Sequence, residues 1–427
     1  MHKASINYVN ILLLFFPISL ILGSAVINLI LVLTSLYVIN YSLKNQIIFY
    51  KFFWFKIFIC FVFYVIITSF LSSEIFPALK NAFSQFRFIL FSLFIYLIDL
   101  NKIFKLFINL LLLLILFVCI DLNIQFIFGY DIFGYPAEGY MGSDYKPLLH
   151  WQNENINLGR LSGPFGSELI PGAFISCLSP PLIFYYVNKI KFRSLKKNFI
   201  KLFLILFLFQ SILITGERLA LILFLVTISI SSLVIFNIKK NLIFFSLLIL
   251  FFILTFNLSE NNFLKKRWID AYNITKDIKD SSYGRIYSSA FMVWQNHKIF
   301  GSGLKNYKIE CQKLDDPNTH NVHPFCSPTH PHNNYLELLA ETGLIGFIIF
   351  YVFYFTLIIY LFKNYFRKIR DNFYYFALGS FFYLVFKLLP LPSGSIFSTF
   401  NASFFWFHLG LCLNYLRPKL SKNFLSD

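Results

Sequence analysis

Charge is scarce in this chain. Only 13% of its 427 residues are Asp, Glu, Lys or Arg, and just 20 are acidic. Soluble domains carry about a quarter charged residues, and this one is 57% hydrophobic with a mean hydropathy of +0.66. A soluble fold of this length could not bury that much apolar surface, which excludes the water-soluble classes and leaves a polytopic membrane protein. Other absences narrow the reading further. Six cysteines are too few for a disulfide scaffold. No HExxH, zinc-finger spacing or glycine-rich nucleotide loop occurs. A cleavable signal is not expected either, because the apolar stretch 8–22 runs at once into another and reads as a first span.

The chain does hold a series of apolar windows near the length that crosses a bilayer. Twelve are expected, near 8–23, 25–43, 52–72, 83–99, 103–120, 168–187, 199–215, 217–236, 241–257, 334–362, 372–388 and 396–416. The fold class is therefore all-α, a membrane bundle of about twelve transmembrane helices with a large, partly helical outer loop. This divides the chain into five regions: N-terminal spans over 1–120, a first outer loop over 121–167, central spans over 168–257, a large outer loop over 258–333, and C-terminal spans with a tail over 334–427.

The net charge of +17 would suggest nucleic acid in a soluble protein. No basic–aromatic groove accompanies it here, and no nucleic-acid partner is expected. The cations gather instead in short loops of one side: "KIKFRSLKKNFIK" (189–201), "KK" (239–240), "KNYFRKIR" (363–370) and "RPKLSK" (417–422). Opposite short loops and span ends carry only Lys80, Arg87, Arg218 and Lys387. Positive charge marks the cytoplasmic side, so both termini are expected inside and both long loops outside. Cys311 and Cys326 are the two cysteines of the outer loop. Outside an inner membrane they are expected to pair, which loop closure values at roughly 3 kcal/mol; two free thiols are the alternative.

The polar chemistry concentrates in "HNVHPFCSPTHPHNNYLELLAETGLIGFIIF" (320–350). His320, His323, His330, His332 and Cys326 invite a zinc reading, but the spacing matches no metal motif and the prolines stiffen the segment, so no metal and no cofactor is expected. His332 stands just ahead of a helix that begins near Asn333. A helix N-terminus disfavours an imidazolium and leaves the ring able to accept a proton, while its free N–H groups favour anions. Glu337 and Glu341 share a helix face, and by rotation from His332 they lie on the far side, facing a wet interior or capping a neighbour. Arg87, Arg160, Arg218 and Arg285 all fall toward the outer side. Arginine at membrane depth requires an anion, water or a partner, and guanidinium takes phosphate bidentately. A neutral base among arginines at the outer leaflet suggests a pyrophosphate-linked lipid substrate; snorkelling or ordinary ion pairing is the plainer reading for any one arginine.

Several of these segments resemble one family. "HNNYLELLAETGLIG" (332–346) has His-Asn, nine residues, then Gly-x-x-Gly, a pattern of the O-antigen ligase and Wzy-type polymerase superfamily. "RLSGPFGSELIPGAF" (160–174), "TGERLALILF" (215–224, with Glu217 at a position where that family has a small residue), "GRIYSSAFMVWQNHKIFGSGLKNY" (284–307) and "LPLPSGSIFSTFNASFFWFHLGL" (389–411) are similar to its other elements. The resemblance covers roughly 150–415. It implies an inverting, metal-independent glycosyl transfer at the periplasmic face of a bacterial inner membrane, from a glycan on undecaprenyl pyrophosphate. It implies His332 as the base or acceptor-orienting residue, and Arg218 and Arg285 as pyrophosphate binders; Arg160 and Arg87 join them because guanidinium at membrane depth suits the same phosphate. The acceptor would be a lipid A-core sugar in a ligase or a carrier-linked glycan in a polymerase. A transporter is the reading from another class, disfavoured by the lack of an internal repeat.

Overall fold

The computed structural model describes residues 8–45, 49, 52–137, 160–190, 195–236, 246, 250, 269, 272, 276, 278, 281–314, 326, 330–365, 370–387, 389 and 394–417. Among them lie thirteen α-helices and no strand. They are α1 (Tyr8–Leu22), α2 (Ser24–Asn45), α3 (Phe53–Ser69), α4 (Ile75–Leu97), α5 (Leu100–Phe128), α6 (Pro171–Asn188), α7 (Leu195–Thr215), α8 (Arg218–Ile235), α9 (Ser282–Asn296), α10 (Tyr307–Lys313), α11 (Asn334–Tyr365), α12 (Asn372–Phe386) and α13 (Thr399–Leu416).

Every expected span window holds an α-helix except 241–257, which lies almost wholly outside the described residues. Five helices are long and apolar enough to cross a membrane: α2, α5, α7 from Asn198, α8 and α11. The apolar helices α1, α3 and α12 have 15, 17 and 15 residues. At 1.5 Å per residue they are about 22–26 Å long, short of a hydrocarbon core of about 30 Å. Composition and helix content support an all-helical bundle of membrane helices, with five clear candidate spans among the described residues. Gly23, at φ 100°, separates α1 from α2 at the boundary expected between the first two windows.

The chain forms two compact units, each assembled from three separated stretches. The first comprises 1–27, 98–273 and 369–386. Its centre is α6, whose buried residues include Pro180 and Pro181. Proline lacks an N–H and interrupts the helix ladder. At that interruption α12 presents Gly379, where a Cβ would stand 2.3 Å from Pro180 O. Gln125 of α5 anchors the 160–165 segment to its helix: its Oε1 accepts from Ser162 N–H (3.0 Å) and Gly163 N–H (2.8 Å).

The second unit comprises 28–97, 274–368 and 387–427. Helix α13 lies along α4 at close range. Ser92 donates to Trp406 O (2.6 Å), Asn414 to Ile95 O (2.7 Å), and Arg417 to Leu97 O (2.7 Å). The last of these places a cation on the carbonyl end of α4, where the helix dipole is negative. Helix α11 runs beside α3. Helices α9 and α10 close over a small core of Ala290, Val293, Tyr307, Cys311 and Ala340.

Candidate functional site

The His-Asn/Gly-x-x-Gly pattern is a broken helix in three dimensions. The sequence predicts one continuous helix over 334–362; instead Gly343 adopts φ 66°, ψ −175° inside α11. In an unbroken helix, Ala340 O and Glu341 O would accept from the N–H groups of residues 344 and 345. Here Ser302 N–H and Gly303 N–H take those carbonyls, each at 2.9 Å. In exchange, Leu344 N–H donates to Lys298 O (2.9 Å) and Ile345 N–H to Ile299 O (3.4 Å). Tyr64 OH closes the break on Thr342 O (2.8 Å). The "IFGSGL" loop is thus a plug of backbone that satisfies both sides of the cut. The part after the break, 344–365, is about 33 Å long and still spans a hydrocarbon core.

His332 sits just before the first part of that helix. Its φ is 52°, a left-handed conformation rare for residues other than glycine. It is outside the helix, so the rotation expected from it to Glu337 and Glu341 does not apply. Asn333 is the cap: its Oδ1 accepts from Tyr335 N–H (2.9 Å) and Leu336 N–H (3.2 Å). Two first-turn donors expected to be open to an anion are therefore engaged by the chain itself. Tyr283 of α9 meets the His332 ring edge-on at 6.2 Å, and His330 lies against it at 4.3 Å between centroids. Tyr287, one turn further along α9, bonds Asn333. Burial, and then the His330 ring, hold the His332 imidazole down at about 4, against a small opposing pull from Glu337. The ring is neutral, as the sequence predicts, but desolvation rather than the helix terminus is the main cause.

Behind the junction is a polar cluster around Glu337 and Glu341, the two acids expected to face a wet interior or cap a neighbouring helix. Glu337 is 1% exposed. Its carboxylate accepts from Ser395 Oγ–H and from Ile396 N–H (2.9 Å). Lys305 Nζ donates to Ser395 Oγ at 2.6 Å and lies 3.9 Å from Glu337 Oε1. Among the described residues, Lys305 and His332 take a left-handed backbone without being glycine. Glu341, also 1% exposed, has the backbone N–H groups of Lys305 and Tyr307 facing it, but neither oxygen reaches hydrogen-bond geometry. Beside Asn334, still within this unit, lies a cavity of about 580 Å³ counting its open mouth. Its walls include Phe58, Phe61, Phe350 and Trp406, with Lys387 among the few polar groups.

The disulfide expectation concerns the neighbouring outer core. Cys311 and Cys326 lie with sulfurs 2.07 Å apart and Cα atoms 5.8 Å apart. Glu310 fastens the same core to the α3–α4 turn. It accepts from Lys313 Nζ (2.8 Å) and Ser73 Oγ, and its other oxygen meets His297 Nε2 at 2.9 Å. Burial raises this carboxyl, but the bonds from Lys313, Ser73 and His297 outweigh it and hold it at about 2.

The four arginines are placed differently. In the second unit, Arg285 is exposed on α9. At 100° per residue it stands opposite Tyr283 and Tyr287, so those two tyrosines, not the arginine, meet the His332–Asn333 junction. Arg87 is within α4, where Nη2 donates to Thr399 Oγ1 (3.2 Å) and the guanidinium lies 4.7 Å over Phe88. In the first unit, Arg160 donates to Leu169 O (3.0 Å). Arg218 opens α8, next to Glu217. Glu217 sends its two oxygens to the N–H groups of Gly172 (2.7 Å) and Ala173 (3.0 Å), at the positive end of α6. The unusual acid in "TGER" thereby ties that element to "IPGAF". Gly172 makes the approach possible, since a Cβ there would meet Thr215 Oγ1 at 2.8 Å.

Residues 203–351 match the Wzy_C family, O-antigen ligase. The chain carries a Wzy_C domain. No curated protein matches the chain. The Wzy_C stretch contains Arg218, Arg285, the 298–303 plug, His332 and the break at Gly343; Arg87, Arg160 and Ser395 lie outside it. Its apolar helices and this family together indicate a multi-pass inner-membrane protein with a ligase- or polymerase-type function. Among the described residues no three His, Cys, Asp or Glu side chains form a metal-holding group; His320 and His323 lie outside the described residues. Sequence reasoning missed Lys305, Ser395 and Tyr283 at the Wzy_C junction. Lys305, directly after "GSGL", and Ser395, in "LPLPSGSIF", lay in segments already singled out.

Proposed function

We propose that the protein is an O-antigen ligase-like glycosyltransferase, moving a glycan from undecaprenyl pyrophosphate to a sugar hydroxyl of a lipid A-core acceptor at the periplasmic face. The observation that carries this reading is the His332 junction within the Wzy_C match: a neutral imidazole, in a constrained backbone, at the N-terminal end of a broken apolar helix. The acceptor oxygen attacks the anomeric carbon as the bond from that carbon to the pyrophosphate oxygen breaks. The acceptor proton passes to a His332 ring nitrogen, and the electron pair leaves on the pyrophosphate, which stays attached to its lipid. Attack opposite the leaving group inverts the anomeric centre. A base within hydrogen-bond reach lowers the barrier to such an attack. Fixed positive charge stabilises the departing oxygen, the role the resemblance gives to Arg218 and Arg285, with Arg160 and Arg87 as further candidates. The burial of Glu337 against Lys305 and Ser395 supports a rigid platform under the junction. The charge of the short loops supports cytoplasmic termini.

The test is reconstitution of the full chain in proteoliposomes with a carrier-linked oligosaccharide and lipid A-core. Glycosylated lipid A-core is the expected product. Longer carrier-linked chains would instead make it a Wzy-type polymerase, and translocation with neither product would make it a transporter.

A further inference from the structure

The outer end of the second unit carries more bare hydrocarbon than a water-facing loop tolerates. Helix α9 buries Ile286, Ala290 and Val293 in the outer core, yet Phe291 on its other side is 44% exposed. The turn after it exposes Ile299 (56%) and Phe300 (46%). The turn between α3 and α4 exposes Phe70 (60%) and Leu71 (62%), and the first turn of α4 exposes Phe76 (80%). Scattered apolar residues on a surface mean little, but a contiguous group marks a contact with something apolar.

These two groups are contiguous because fixed contacts join them. Tyr64 of α3 reaches Ile299 O (3.4 Å) and Phe300 O (3.5 Å) as well as Thr342 O. Gly303 stands so close to Ser72 that a Cβ on it would meet Ser72 Cβ at 2.6 Å. Ser73 donates to Glu310 of α10. The group also continues a surface of known kind. Helix α11 presents Leu344 (47%), Ile345 (38%) and Ile348 (51%) outward, as a membrane helix does toward lipid. The backbones of Leu344 and Ile345 are bonded to Lys298 and Ile299. The lipid-facing stripe of the span is therefore joined by backbone hydrogen bonds to the 298–300 turn. Beside it, Lys298 and Lys308 are exposed and Lys313 is 55% exposed along its side chain, the arrangement in which long cationic side chains reach anionic headgroups from an apolar seat.

We propose that this collar lies in the outer leaflet of the bilayer, so that Phe291, the 297–300 turn and the α3–α4 turn form a lipid-embedded rim rather than a surface in water. The occupant of the surface is the acyl-chain region just beneath the headgroups. Its consequence for the proposed transfer is positional: the His332 junction, joined to α9 through Tyr283 and Tyr287, stands at the depth of lipid-borne phosphates.

Depth measurement on the full chain in nanodiscs tests this directly, whether or not transfer is observed. In a Cys60→Ser background, a bimane label is placed at Phe76→Cys, Phe291→Cys or Phe300→Cys, with Lys308→Cys as the water-side control. Lipids brominated on the acyl chains are expected to quench the three collar labels at least twofold more than the control, while aqueous iodide quenches the control more. Iodide quenching of all three at the control level would overturn the proposal. So would protection from both quenchers, which would mean that a second copy or another protein covers the collar. Because labelled variants can misfold, the unsubstituted protein is also cross-linked with a lipid carrying a diazirine in its acyl chain. Adducts are expected by mass spectrometry within 70–76 and 291–300. Adducts on the spans alone would reject the lipid seat.

Discussion

Gly301 and Gly343 touch backbone to backbone. A Cβ on Gly301 would stand 2.4 Å from Gly343 N, and a Cβ on Gly343 would stand 2.5 Å from Gly301 N. Both residues are left-handed, at φ 77° and φ 66°. Two motifs forty residues apart in the chain are therefore one structural object.

That contact sets a first expectation. Gly301→Ala and Gly343→Ala each add a methyl where backbone already stands, and each forces a left-handed alanine, which costs about 1–2 kcal/mol before any overlap. Both variants are expected to lower the melting temperature in detergent and to abolish transfer. Wild-type melting of either would mean that the plug does not hold the break.

Catalysis gives the second. His332→Ala is expected to lose about 10²–10⁴-fold of the transfer rate while remaining in the membrane, because the residue lies at a loop–helix junction. Arg218→Lys and Arg285→Lys are expected to impair transfer strongly, since lysine keeps charge without the bidentate fork. EDTA is expected to leave the wild-type rate unchanged. Near-normal transfer by His332→Ala would end the role of that imidazole, and loss with EDTA restored by zinc would bring a metal into the reaction.

The third concerns pH. The His332 ring is held at about 4, below its ordinary 6.5. Between those values an unfolded chain binds a proton that the folded one refuses. Folding is therefore weakened as pH falls from 6.5 toward 4 and is unaffected by this group above 6.5. The kcat/KM profile, which reports the free enzyme, is expected to keep its activity through pH 6 and to fall near 4. An acid limb at 6.5 would show a solvated, ordinary imidazole.

The fourth concerns the outer cysteines. Non-reducing mass spectrometry of protein from native membranes is expected to find a Cys311–Cys326 linked peptide. Alkylation of both thiols without prior reduction would remove that tie from the outer core.

Sidedness is the fifth. Cysteines introduced at 305–314 are expected to react with an impermeant maleimide in intact cells, and those at 195–198 are not. Labelling at 195–198 in sealed cells would reverse the inside–outside assignment.

The helices are legible in the sequence because a membrane span is a local property: apolar residues in sufficient number. His332 is legible too, since a His-Pro-His run meeting an apolar stretch places polar chemistry at a membrane boundary. The break is not. Residues 344–362 are a nearly unbroken apolar run directly after Gly343, and nothing within them reveals that Lys298 and Ile299 supply the missing carbonyls. The rotation expected for Glu337 fails for a related reason: it assumes helical geometry at His332, whose φ is 52°. The Glu337 cluster draws Lys305 and Ser395 from 32 residues before and 58 after, distances over which composition carries no information. The attachment of Glu217 to α6 is hidden likewise, because its partners are backbone amides of a segment forty-five residues earlier.

The exchanged hydrogen bonds at the break carry one more consequence, for how the membrane helix breathes. Leu344 and Ile345 are the first amides of the spanning part of α11, and their acceptors belong to the 298–299 turn. Deuterium uptake at these two amides therefore measures the attachment of that turn, not the fraying of the helix. Cutting the chain between α9 and α11, or loosening α9 from its core, releases protons from a span whose own sequence is untouched. The top of this span works as a strain gauge wired to the outer loop.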